Sequence, residues 1–432
     1  MNTICLYCQE FSPRLQYVVR YIFEDLLGLN IRLISDREDF ATICDVPKIT
    51  LCSSVPAQSA WLFVDEWISK PSSEIIPKSE LEDKWDNADT PFPFNGEGMP
   101  LLNFDIFSAT FFLLSRYEEY RMVERDKYGR VRAQELYMHK RGLLEKPIVN
   151  IWAAELREAL QKVFPSIKIT TPEFSIIPTI DIDHAFLVKH KSFLRRWGGI
   201  FKYPSTALQR LRTLVLGKED VYFNLTKTAS LHRSLNLKTK FFFLCGNYNN
   251  GIDNGDSYKF EEYQKLFSEW KDDKDIEVGV HFSVASQTAS NLAALEKTNL
   301  ENAAKTKIVS NRNHFLMLSI PRTYEALENF GITNDYTMGC ADVVGFRAGC
   351  CTPFKFYNLR QERIMPITVF PLTCMDTTFF TYLKTNKNNA FAAMYSLREE
   401  VRNVGGVFIP LFHNETLADN KKMWQYYKNL IS

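Results

Sequence analysis

Short apolar runs and longer amphipathic ones alternate along the chain, and the order of the two kinds changes near residue 170. In the first part, ICLYC (4–8) reads as a strand and PRLQYVVRYIFEDLLG (13–28) has helical spacing, with Pro13 suited to a first turn. NIRLIS, KITLC and WLFVDEW follow as short strands. After a polar, Pro/Gly-rich stretch at 86–100, FDIFSATFFLLSRYEEYR and KPIVNIWAAELREALQKVF each predict a helix. No glycine-rich loop joins a strand to a helix here, so the pattern carries no nucleotide-binding signature. PSIKITTPEF (165–174) has the character of a linker.

Beyond it the periods alternate regularly. FSIIPTID, TKFFFLCG, IEVGVHFS, VVGFRAG, ITVFPLTCMD and GVFIPLFHNE read as strands, with helical segments between them. Such an alternation over the last 260 or so residues implies a parallel sheet or a barrel. We therefore expect an α/β chain of two domains, 1–168 and 172–432.

Several of these apolar strands end in a chemically capable side chain: Asp181 and Asp183, His281, Arg347, Asp376 and His413. In a β/α barrel the C-terminal strand ends converge on one mouth. Residues two apart on a strand share a face, so Asp181 and Asp183 lie on the same side, roughly 6–7 Å apart. Two carboxylates beside an apolar wall repel unless something positive lies with them, and a divalent metal is the simplest partner. The chain has only seven histidines. An Asp/His/His set with open positions suits zinc, iron, cobalt or manganese and acidifies a bound water, the chemistry of a hydrolase.

Bulk properties narrow the picture. With 52 Lys and Arg against 51 Asp and Glu, no global field recruits nucleic acid or an anionic membrane. The basic run 189–196 reads as a solvated helix face or loop. No stretch approaches a membrane span. Nine cysteines, an odd count with no secretory signal at the N-terminus, suggest reduced thiols and a cytoplasmic location. Cys5 and Cys8 have the spacing of a metal knuckle, but they sit in an apolar run with no second pair, which favours a buried strand.

At the strand-end residues the chain resembles the polysaccharide deacetylases, carbohydrate esterases with the NodB-homology domain. Thr179-Ile-Asp181-Ile-Asp183 is similar to their first motif, stretched by one residue. His281-Phe-Ser283 is similar to the second, although alanine stands at 285 where a second histidine is usual. Gly345-Phe-Arg347-Ala-Gly349, Asp376 and Leu411-Phe-His413 complete the set. Phe111 to Tyr120, Asp126 to Arg130 and Arg312-Asn-His314-Phe-Leu resemble a divergent bacterial branch in which an N-terminal α/β domain precedes the catalytic one.

The resemblance implies a distorted (β/α) barrel and a metal-dependent deacetylase of N-acetyl, or O-acetyl, groups on a glycan or sugar conjugate. The metal would be Zn2+, with Co2+, Mn2+, Ni2+ or Fe2+ as alternatives. Asp183 and His281 would ligate it, with His314 replacing the missing histidine and His184 as competitor. Asp181 would be the general base, held ionised by Arg347. His413 would be the general acid, tuned by Asp376. Phe346 and Tyr357, in an aromatic cluster after Arg347, are candidates for a sugar-stacking loop. Ser283 and Ser286 read as caps, and Glu296 as a surface residue. Two other readings stay open: an inactive carbohydrate-binding or scaffold module, and a glycoside hydrolase using Asp181 and Asp183.

Overall fold

A computed structural model describes residues 2–54, 60–69, 91–121, 124–202, 206–248, 251–418 and 421–432. The first sheet contains β1 (Thr3–Tyr7), β2 (Asn30–Ile34), β3 (Lys48–Cys52) and β4 (Trp61–Phe63), all parallel, in the order β2-β1-β3-β4. The helix Pro13–Arg20 starts where expected: Ser12 accepts the Leu15 amide, and Pro13 occupies the first turn, where no amide hydrogen is needed. It continues as a wider turn, Tyr21–Leu26. The helix Ile106–Leu114 is capped by Asp105 and buried on every side, so it serves as a central strut. Of the polar stretch 86–100, residues 86–90 lie outside the described residues.

The second part holds β5 (Ser175–Ile176), β6 (Thr179–Ile182), β7 (Thr239–Leu244), β8 (Ile276–Phe282), β9 (Ser310–Asn313), β10 (Asn334–Asp335), β11 (Phe354–Asn358), β12 (Arg363–Val369), β13 (Cys374–Met375), β14 (Val407–Phe408) and β15 (Pro410–His413). Nine of them make one sheet in the order β11-β12-β10-β9-β8-β7-β6-β15-β13. All neighbours are parallel except β11 and β12. β12 and β13 are consecutive in the chain but stand near opposite ends of that order. Residues 370–373 cross between them, the Leu372 amide donating to Met338 O and the Thr373 amide to Ile409 O. Because the strands run in parallel, their C-terminal ends share one side of the sheet, and β6, β8, β9 and β15 deliver their polar ends there.

Several expectations about strands are corrected, and ITVFPLTCMD is not one strand but parts of the separate β12 and β13. VVGFRAG is irregular: Gly345 has φ +117°, and a Cβ on it would meet Leu144 O at 2.1 Å, so the segment is a loop pressed against the first half of the chain. The aromatic loop after Arg347 is in fact a strand, β11. SNRN, which carries no strand-like apolar pattern, forms β9 with all four residues buried.

The main hydrophobic core runs without interruption from β1 and Ile106–Leu114 into β7, β12 and the helix Lys387–Val404. Phe346 and Tyr357 belong to it. Phe346 is fully buried, and the Tyr357 ring packs against Tyr17 and Phe111 while its hydroxyl donates to Glu362. Neither side chain is placed to stack on a sugar. No described helix is long and apolar enough to cross a membrane.

Candidate metal centre

β6 carries Asp181 at its third position, and the chain bends after Ile182, so Asp183 leaves the strand at its C-terminal edge. Both carboxylates approach the same atom. His281 Nε2 lies 3.6 Å from Asp181 Oδ2 and 3.4 Å from Asp183 Oδ1. His314 Nε2 lies 3.6 Å from Asp183 Oδ2. His413 Nε2, at the end of β15, is 3.9 Å from the same oxygen.

Each imidazole is turned by a partner on its other nitrogen. His281 Nδ1 donates to Arg312 O (2.7 Å), and His314 Nδ1 to Asp253 (3.0 Å). His413 Nδ1 donates to Asp376 (2.7 Å), which also accepts the His413 and Thr377 amides. A partner on Nδ1 leaves Nε2 to face inward, the arrangement that orients metal-binding histidines.

The cluster fits a cation on its own geometry. Ligand atoms of Asp183, His281 and His314 all lie within 4.8 Å of one another. Donors held at zinc bond lengths in a tetrahedron stand about 3.3–3.6 Å apart, and the N–O separations on Asp183 are 3.4 and 3.6 Å. Asp183 Oδ1 is buried with no hydrogen-bond partner among the described residues, an expensive state unless another group satisfies it. His184, the competitor, is outside this set. Its Nδ1 lacks a hydrogen bond, and burial pushes its pKa down.

Burial raises the Asp183 carboxyl, but the facing charge of His314 and the two nearby ring nitrogens outweigh it and hold the group well below the carboxylate range. Burial opposes charge on His314 as well, yet Asp183 and Asp253 pull it up to about 9. His413 rises to about 10, against burial, through Asp376 and then Asp183 and Asp181. A cation at Asp183 would displace the proton on His314, so its binding should weaken as pH falls below about 9.

The guanidinium on Asp181 is not the expected one. Arg347 pairs with Glu119 (2.6 and 2.9 Å) and with Gly339 O. Arg312 donates to Asp181 Oδ1 and Thr179 Oγ1, each at 2.9 Å, and to Tyr336 O. Its guanidinium lies over the Phe242 ring, 4.7 Å from the centroid. The reason is topological: β9 and β6 both end at the cluster, whereas the Arg347 loop is drawn toward the SRYEEY segment. Glu296 is also corrected. It is buried on the inner side of Ser290–Ala304 and holds the Ser283 amide and hydroxyl, behind His281.

Residues 4–165 match a family of unknown function, DUF7033. No curated protein matches the chain. Among solved structures, a Mycobacterium smegmatis protein described as a polysaccharide deacetylase is similar at 12% identity, over 60% of this chain and 83% of its own, with a TM-score of 0.41. Puue allantoinase is similar at 11% identity, over 60% and 82%, with a TM-score of 0.38. The chemistry of the site is read from its own side chains.

Asp253 and Arg312 were not assigned roles from sequence. Arg312 stands two residues before His314 in a wholly polar run, a period-two signal that would have placed both on one face. Asp253 lies in a turn-rich stretch, where sequence gives no direction to a side chain. It also accepts the Val284 and Ala285 amides, linking the loops after β7 and β8. Asp253→Asn should weaken zinc affinity about 10–100-fold, measured by competition with a chromophoric chelator. An unchanged affinity would mean that His314 is not a ligand.

Proposed function

We propose that this chain is a metal-dependent hydrolase that removes an acetyl group, most simply an N-acetyl group, from a glycan or sugar conjugate. We infer also that the nine-stranded sheet is the distorted (β/α) barrel of that enzyme class, residues 172–432, with residues 1–168 as an N-terminal α/β domain that shares its core. The observation that carries the reading is the Asp183, His281 and His314 donor set around an orphaned carboxylate oxygen. The donor types favour Zn2+.

A divalent cation there would act as a Lewis acid on the acetyl carbonyl and lower the pKa of a water. The protein's own groups divide the remaining work. Asp181 accepts the proton of the attacking water, its Oδ1 anchored by Arg312. His413, kept protonated by Asp376, donates to the departing nitrogen as the C–N bond breaks. Acetate and a free amine leave.

The glycosidase reading fits less well. It requires two carboxyls that flank a sugar bond, whereas Asp181 and Asp183 both close on His281 Nε2, at 3.6 and 3.4 Å. An inactive binding module has no need of the complete donor set.

The test is metal content by plasma mass spectrometry after reconstitution. Wild type should hold about one zinc per chain, and His281→Ala and His314→Ala should hold little. A wild-type chain that stays metal-free after zinc, cobalt and manganese would sink the proposal.

A further inference from the structure

Between β6 and β7 in the chain comes a pair of helices, Phe193–Lys202 and Ala207–Leu216, packed against each other. Phe193, Trp197 and Phe201 are four residues apart, so they share one face of the first helix. Phe201 is 85% exposed and Phe193 73%. The second helix exposes Leu208, Leu211, Val215 and Leu216. These two helices hold seven of the thirteen large exposed apolar side chains among the described residues. Single exposed apolar residues need no explanation, but a concentration of them does.

The charge pattern is equally uneven. Residues 189–218 contain eight Lys and Arg and no Asp or Glu, so the rest of a chain with 52 basic and 51 acidic residues is net acidic by seven. Lys189 and Lys191 reach out of the segment to Glu262 and Asp256. Lys202, Arg212 and Lys218 are exposed.

We propose that this helical hairpin docks on an anionic lipid surface. Exposed aromatic and aliphatic side chains on both helices, within a stretch of sequence that has eight cations and no acidic residue, are the composition of a segment lying in a membrane interface. A second copy of the chain is the weaker occupant, because a two-fold contact would set this cationic segment against itself.

The hairpin also lines a cavity of about 1270 Å3, with Gly198, Gly199, Lys202 and Arg210 on its wall. The far wall includes His184 and Glu415, which lie within two residues of Asp183 and His413. On the function proposed above, docking would hold the mouth of the active site beside the bilayer; the docking itself does not depend on that function.

The experiment is sedimentation of the full chain with phosphatidylcholine vesicles, with and without phosphatidylglycerol. Wild type should sediment with the anionic vesicles only, and less so at high salt. Phe193→Ser combined with Phe201→Ser should lower partitioning roughly tenfold or more. Arg212→Glu combined with Lys218→Glu should lower it by at least about 25-fold. Circular dichroism checks that each variant folds. A chelator should leave binding unchanged, which separates this result from any failure of the metal reading. Wild type remaining in the supernatant, or all variants binding equally, overturns the proposal. So does a dimer, seen by light scattering, that the phenylalanine variant converts to monomer.

Discussion

Asp181→Asn is expected to purify with its full complement of metal and to turn over about 10³-fold more slowly. Asparagine keeps an oxygen where Arg312 donates at 2.9 Å, and the site is buried, so the strand end should keep its shape. What is lost is the ability to take a proton. Asp183→Asn differs in kind, because it weakens the ligand set itself and should lose metal and activity together. The measurement is acetate release from an N-acetylglucosamine oligomer, with metal content determined on the same samples. Turnover within a few-fold of wild type in Asp181→Asn would remove Asp181 from the role of base. Metal loss in Asp181→Asn would instead make it a ligand.

The second large effect lies away from the cluster. Glu119 is buried between two guanidinium groups, accepting from Arg116 Nε at 2.8 Å and from Arg347 at 2.9 and 2.6 Å. Glu119→Gln leaves the buried Arg347 without a carboxylate, and Arg116 with Glu118 alone, and should destabilise the chain by about 3–5 kcal/mol. Burial raises this carboxyl, but Arg347 and Arg116 outweigh it and bring it from 4.5 down to about 2. A folded value below the unfolded one means that the stabilisation is fully present above pH 4.5 and is lost as pH falls toward 2. Its size, about 3 kcal/mol at neutral pH, follows from the shift. Urea titrations at pH 6 and pH 3 should therefore show a larger acid loss in wild type than in Glu119→Gln. Equal losses would mean that Glu119 is not the ionised centre of this triad.

Both predictions turn on which arginine meets which carboxylate, and that was the least legible feature of the chain. Asp181, Asp183, His281, Asp376 and His413 could be picked out because each follows an apolar strand run, and a strand end is a local property. The structure brings Asp181, Asp183, His281 and His413 together, with Asp376 behind His413. Arg347 could be picked out by the same rule, but its partner is Glu119, 228 residues earlier in the chain. Arg312 lay in plain view beside His314, yet SNRN has no apolar alternation, so nothing marked it as a strand. It is buried because the polar ends of neighbouring strands satisfy it: Asn311 donates to Asp335, and Arg312 reaches Thr179 and Asp181. Glu296 looked like surface for the reverse reason. It stands in a polar helix, and only the packing of that helix on β8 turns it inward.

Sequence by itself determined many elements and their local chemistry: the period-two placement of Asp181 and Asp183, the helix start at Pro13, the strand ends that carry imidazole and carboxylate, and the basic run at 189–196. These depend on neighbours within a few residues, whose geometry the backbone repeats. Only the tertiary structure decided the long-range pairings. An arginine side chain spans enough distance to reach several carboxylates, so its choice depends on strand order and loop direction, which are properties of the whole sheet. The same holds for Asp253 behind His314 and for the exposure of Phe193 and Phe201, since a helix shows which residues share a face but not whether that face meets protein or solvent.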